Sequence, residues 1–359
     1  MTTARELAAK LAKAFLANGR YSLAGERASM PVGAADGTDA LPMQDFGVFA
    51  GLEVHSVGYD PGEKGTGDEK DRAARVYIYV VKGAARHLRS LPRKEGDIEI
   101  KAIPMGAMNV RPQASLKQQP NFFKKGGKIA CGSSCAPTGV NYSGTLGALV
   151  KSLTGSEIYC LSNNHILGDC NHLPTGMPVT SPSNKDAGPN RPPVAIASFS
   201  KLVPMASGNP SHVSPSKFDA ALAIVEKPAL LTSWQGNADG YETPATMADP
   251  YPGMVVKKTG RTTGLTRGTV ESHVSTAFAV PYTSEYFKAT VWFTDVWTVK
   301  SSHGHAFAAP GDSGSLVVTD DTSEAVGLLF AANPAGTYGW FLPIDKVLAQ
   351  LKVSLLSGH

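Results

Sequence analysis

No stretch of the 359-residue sequence approaches the roughly 18 consecutive apolar residues that a membrane-spanning helix requires, so no membrane span is expected. Charge of one sign is equally scarce. The 34 Lys and Arg nearly balance the 30 Asp and Glu, and a scattered net charge of +4 argues against a nucleic-acid partner. There is no Gly-rich nucleotide loop, no paired catalytic carboxylates and no metal-ligand helix motif, so neither a cofactor nor a metal is expected. Cysteine is limited to Cys131, Cys135, Cys160 and Cys170, whose spacings match no common zinc pattern. Free thiols, two bridges and a metal site all remain open readings for them. The N-terminus carries Arg5, Glu6 and Lys10 where a signal peptide would be unbroken apolar sequence, which leads to an expected cytoplasmic location.

What is abundant is turn chemistry. With 37 Gly and 25 Pro in a chain that is 42% apolar and 18% charged, the sequence reads as a globular protein of many short strands. Residues 1–112 look like a helix plus a small α+β module. Leu7, Leu11, Phe15 and Leu16 recur at helical spacing from Ala4 to about Leu23. Strands follow at 49–57, 75–81 and 97–103, with a short helix expected from Ala84 to Leu91. His55 and His87 have no recognisable partners and read as structural or surface residues. A polar stretch with Pro120, Gly126 and Gly127 marks 113–129 as a linker. From 130 to 359 short apolar runs alternate with turns, as in a β-barrel or sandwich, and a closing helix is expected from Pro343 to about Leu355.

One stretch carries chemistry: Ala309-Pro310-Gly311-Asp312-Ser313-Gly314-Ser315-Leu316-Val317-Val318. It places a serine between glycines at the entrance of a strand, where backbone amides can approach a substrate carbonyl. A serine hydroxyl is a weak nucleophile without a base and a carboxylate to orient it. Of nine histidines, His165 stands at a strand end in Leu161-Ser162-Asn163-Asn164-His165. His303 and His305 lie too close to Ser313 along the chain without a fold-back. For the carboxylate, Asp219 heads the apolar run Ala220–Val225, where a buried charge needs donors such as an imidazole N–H. Asp169, Asp186, Asp239 and Asp249 read instead as turn residues.

The order His165, Asp219, Ser313 resembles that of the chymotrypsin-like serine proteases. Gly260-Arg261-Thr262-Thr263-Gly264, Gly144–Val150 and Gly327–Ala332 extend the likeness to a trypsin-like branch that includes plant narrow-leaf proteins and bacterial relatives. The resemblance covers roughly residues 130–355. It implies a mainly β, chymotrypsin-like double barrel, and a peptidase acting on a protein or peptide by acyl transfer. Ser313 would be the nucleophile, His165 the base, Asp219 the orienting carboxylate, and the amides of Gly311 and Ser313 the oxyanion hole. Asp312 would pair with Lys258 or Arg261 in place of a newly cut N-terminus. The pocket would be formed by Phe307, Phe330, Ala331 and Ala332, favouring a small or medium apolar side chain. A peptide-binding protein without chemistry and a small-molecule esterase are the competing readings. Homo-oligomerisation is left open by the sequence.

Overall fold

The computed structural model describes the chain except Met1 and residues 24–25, 29–48, 50, 65–70, 84–87, 90, 107–119, 209–212, 276, 285–287 and 303. The expected helix at Ala84–Leu91 therefore falls mainly outside the described residues, as do His87, His303 and the first part of the expected linker, 113–119.

Helix α1 (Ala4–Ala17) starts at Thr3, whose hydroxyl accepts the Glu6 N–H while the Glu6 carboxylate accepts the Thr3 N–H. Its buried face presents Leu7, Leu11 and Phe15. The helix stops short of the expected Leu23 because Asn18 caps it through Ala14 O and Gly19 turns left-handed at φ +61°. The released residues form β1 (Tyr21–Leu23), paired with β2 (Glu26–Ala28). Strands β3 (Glu53–Asp60) and β4 (Arg75–Lys82) are antiparallel, β5 (Lys94–Glu95) pairs with β6 (Ile98–Pro104), and β6 runs parallel to β4. α1 closes over Val54, Val57, Val76, Ile78 and Val80 of this sheet.

The part of the expected linker that is described is folded. β7 (Lys124–Lys125) and β8 (Lys128–Cys131) form a hairpin turned by Gly126 and Gly127, both at positive φ. Asn121 anchors it, donating from its backbone to Arg261 O and from Nδ2 to Gly260 O. The first barrel contains β9 (Ser134–Pro137), β10 (Gly144–Thr145), β11 (Ala148–Ser152), β12 (Ile158–Ser162), a one-turn helix α2 (Asn164–Leu167), β13 (Pro178–Ser181), β14 (Val194–Leu202) and β15 (Ala221–Val225). Then β16 (Leu231–Gln235), parallel to β8, leads through β17 (Tyr241–Glu242) and β18 (Thr246–Met247) to the second barrel.

That barrel comprises β19 (Val255–Gly260), β20 (Gly264–Val274), β23 (Trp297–Ser301), β24 (Leu316–Thr319), β25 (Glu324–Ala332) and β26 (Tyr338–Pro343). A hairpin of β21 (Phe278–Thr283) and β22 (Lys288–Phe293) is inserted between its second and third strands in chain order. Pairing runs β19-β24-β25-β26-β23-β20 and returns to β19, so the ring is closed. Helix α3 (Ile344–Leu351) ends where Lys352 turns left-handed, φ +59°. The expected extension to Leu355 is instead β27 (Val353–Leu355), which adds to the first barrel's sheet by pairing with β11. The architecture is mainly β, a double barrel with a C-terminal helix and an N-terminal helix-plus-sheet module.

The N-terminal module shares a sheet with the second barrel. Gly58 and Tyr59 of β3 pair with Val274 and His273 of β20. A side chain at Gly58 would put Cβ 2.4 Å from Ser272 Oγ, so only glycine permits this approach. Tyr77, Tyr79 and Met105 belong to the same buried cluster as Phe278, Phe293, Phe330 and Trp340. His55 is buried there, donating from Nε2 to Ala279 O at 3.1 Å and accepting from Ser56 Oγ. Burial lowers its imidazole to a pKa of about 4.

Candidate active site

Between the barrels lies a cleft of about 860 Å³, open to solvent, whose lining includes both His165 and Ser313. The first barrel supplies His165. β12 ends at Ser162, whose hydroxyl donates to Thr145 O, and α2 then carries the histidine on its single turn. Asp219 stands just before β15 and is fully buried. His165 donates twice to it, from its backbone N to Oδ1 at 3.0 Å and from Nδ1 to Oδ2 at 2.5 Å. Asn163 Nδ2 donates to Asp219 O at 2.7 Å, fixing the carboxylate-bearing backbone against the histidine turn. Tyr282, from β21, donates its hydroxyl to Asp219 Oδ2 at 2.7 Å.

The second barrel supplies the serine. Gly311 and Gly314 take φ of +100° and +94°, which turns the chain sharply on either side of Ser313. Among the described residues, the amides of Asp312, Gly314 and Ser315 donate to Ala309 O, Leu329 O and Asp312 O, while those of Gly311 and Ser313 have no internal acceptor. Ser313 Oγ makes only a long contact of 3.5 Å with Phe330 O. The first barrel grips this loop through Thr145, whose N–H donates to Ser313 O and whose hydroxyl donates to Gly311 O. The approach is close enough that a Cβ on Gly147 would lie 2.0 Å from Gly314 O.

Asp312 points away from the cleft and is fully buried. Its Oδ1 accepts the N–H groups of Thr262 and Thr263, and its Oδ2 accepts from Ala309 N and Thr263 Oγ1. Lys258 Nζ lies 3.2 Å from Oδ2, both side chains being fully buried. Burial lowers the Lys258 ammonium and Asp312 works the other way. Of the two expected partners of Asp312, Lys258 is therefore in place and Arg261 is not. The Arg261 guanidinium turns instead to Asp186, Nε 2.6 Å from Oδ2. Asp186, expected to be a turn residue, is part of this buried ion pair. Burial pushes its carboxyl up, but Arg261 and Ser134 outweigh that and hold it low.

Phe330, Ala331 and Ala332 line the cleft as expected, with Ala308, Ala309 and Pro310. Phe307 does not. Its ring is sealed in the second-barrel core with Val270, Val299 and Leu329, between Gly268 and Gly339, and its carbonyl accepts from Thr266 Oγ1. Counting residues back from the serine reaches the right loop, but the backbone has already turned inward there. His305 is exposed and absent from the cleft lining. The four cysteines are free and buried. Burial raises the Cys131 thiol to about 12 and drives that of Cys170, which lines the cleft beside Asp169, higher still. Among the described residues no cluster of side chains suits a metal.

Thr145, Asn163 and Tyr282 were not singled out from the sequence. The paired asparagines directly before His165 were a usable signal, since carboxamides at a strand end commonly tie loops together. Tyr282 had none, because its hydroxyl meets Asp219 only through the fold.

The two barrels and the cleft between them define a chymotrypsin-like protease fold. Residues 246–336 match the family model described as the Nal1 C-terminal domain, a segment that runs from β18 past Ser313 and the cleft strand β25. No curated protein matches the chain. Among solved structures it is similar to protease A of Thermobifida fusca, with 19% identity over 64% of this chain and 100% of that one and a TM-score of 0.43. The chymotrypsin of Cellulomonas bogoriensis shows 18% identity over 64% and 98%, TM-score 0.41. Nocardiopsis protease shows 16% over 64% and 98%, TM-score 0.42.

Proposed function

We propose that the chain is a serine endopeptidase that cleaves a protein or peptide through an acyl-enzyme, and that it works in a reducing, cytoplasmic setting where its four thiols stay free. The observation that carries the reading is the 2.5 Å bond from His165 Nδ1 to the fully buried Asp219, on the wall of a cleft that Ser313 also lines. With Nδ1–H committed to Asp219, the other ring nitrogen is left as the base. Ser313 Oγ attacks the scissile carbonyl carbon while His165 Nε2 takes the hydroxyl proton. The oxyanion that forms is received by the amides of Gly311 and Ser313, which have no acceptor among the described residues. Its collapse breaks the C–N bond, the proton passes from His165 to the leaving amine, and water then cleaves the ester by the same steps.

Two further features refine the proposal. Lys258 already neutralises Asp312, so no newly cut N-terminus is needed and the enzyme is made in its active form. The lining that the second barrel contributes, including Ala308, Ala309, Phe330, Ala331 and Ala332, carries no charged side chain among the described residues. That supports cleavage after a small or medium apolar residue. The test is labelling with a fluorophosphonate probe. Labelling of the wild type and its loss in Ser313→Ala and His165→Ala is expected, with hydrolysis reduced by about 10⁶ in either variant. Equal labelling of Ser313→Ala, or none of the wild type, would overturn the reading. A cleavage profile dominated by Arg would overturn the preference.

A further inference from the structure

Asp219 receives more than the histidine. Its Oδ1 takes one backbone donor and its Oδ2 takes two side-chain donors, one from each barrel. The second of these is the Tyr282 hydroxyl. Tyr282 stands three residues along β21 from Ala279, whose carbonyl holds His55 of the N-terminal module. Its ring lies 5.3 Å from the His165 ring and forms part of the cleft wall. We propose that Tyr282 is a positioning residue for the His165–Asp219 pair: its hydroxyl pins the carboxylate in the rotamer that faces Nδ1 and disperses part of its charge. The proposal rests on the peptidase reading for its effect on rate, but not for its effect on the histidine.

Three observations support it. The tyrosine is 3% exposed, so water does not compete for its hydroxyl. Burial, reinforced by the adjacent Asp219, drives the phenol well above its ordinary value, which keeps it protonated and a donor at every working pH. The other titratable groups near this carboxylate are His165, Cys170 and, beyond Cys170, Asp169. The Cys170 thiol is itself held neutral by burial, so no cation competes with imidazolium for Asp219.

Tyr282→Phe keeps the ring and deletes one donor. Without that donor the carboxylate carries its charge undivided and holds imidazolium more strongly, so the histidine keeps its proton to higher pH. In the full chain, kcat should fall about tenfold because the carboxylate is no longer pinned in the rotamer that aligns His165, a loss of alignment that outweighs the stronger hold on imidazolium, with KM within about twofold because the wall keeps its shape. The acid limb of kcat/KM should move to higher pH. The same upward movement should appear in the titration of the His165 ring by NMR in the Ser313→Ala background, with the resonance assigned by its loss in His165→Gln. Titration is read whether or not the chain hydrolyses anything, so an inactive wild type would overturn the function while this measurement still decides the role of Tyr282. An unchanged His165 midpoint in Tyr282→Phe would reduce the tyrosine to packing and overturn the proposal.

Discussion

Lys258 and Asp312 illustrate how one buried pair can decide a loop several residues long. The Asp312 carboxylate ties together Thr262, Thr263 and Ala309, and these contacts hold the turn on which Ser313 sits. Replacing Lys258 by Met would leave that carboxylate buried without its cation, which typically costs about 3–5 kcal/mol. We expect a drop in melting temperature of roughly 5 °C and much slower fluorophosphonate labelling. Lys258→Met combined with Asp312→Asn should regain part of both, because the amide needs no counter-charge. An unchanged melting temperature in the single variant would show that the pair does not hold the loop. His165, Asp219 and Ser313 could be picked out as candidates in the sequence because each sits at a strand end with a marked local context. The structure places Phe307 and Asp186 differently from the sequence reading, because spacing along the chain does not say when the backbone turns inward, nor which of two aspartates a guanidinium will meet.

At the scale of elements, β21 is where three parts of the molecule meet. It lies against β1 and β3, bonds His55 through Ala279 O and carries Tyr282 to Asp219. His55 is held neutral by burial, its pKa lowered from 6.5 to about 4. The unfolded chain therefore binds a proton between those values that the folded chain does not. The stability this group contributes is complete above pH 6.5, declines as pH falls, and levels off below pH 4, a change of up to ~3 kcal/mol. Denaturant titrations from pH 7 to 4.5 should show this decline, and a His55→Gln variant should show a flatter profile. Parallel slopes for the two proteins would assign the decline elsewhere. Continuous β-branched and aromatic runs such as Arg75–Val81 announced their strands. The break between β20 and β21, and that between β22 and β23, was hidden because only three residues separate the apolar strands at each place.

For the whole molecule, the N-terminal strands β3, β4 and β6 and the second barrel form one continuous sheet with a shared core. Tyr79 donates to Glu271 and shares a hydrogen bond with Ser272, both on β20, while Met105 O accepts from Asn333 at the cleft rim. Removing the module would bare the faces of Phe278, Val274 and Trp340 that Tyr77, Tyr79 and Met105 now help to cover. We expect residues 120–359 expressed alone to aggregate or melt without a cooperative transition, whereas the full chain melts in one step. A soluble fragment that melts within a few degrees of the full chain would show that the module is an independent accessory. A module of this kind was legible from its strand pattern, but its attachment was not. The joint depends on Gly58 meeting Ser272, two residues with no local sign of each other.

That joint also sets a schedule for the chain as it is made. Tyr59 and His273, partners across it, are 214 residues apart in sequence. At about 5–20 residues per second, a ribosome needs roughly 10–40 s to travel from one to the other. Through that interval β3 has β4 on one side, while the side that will meet β20 at Gly58 and Tyr59 is an open edge. The newborn protein therefore passes through a window in which its first finished sheet is its most adhesive surface, and that window closes only when β20 emerges.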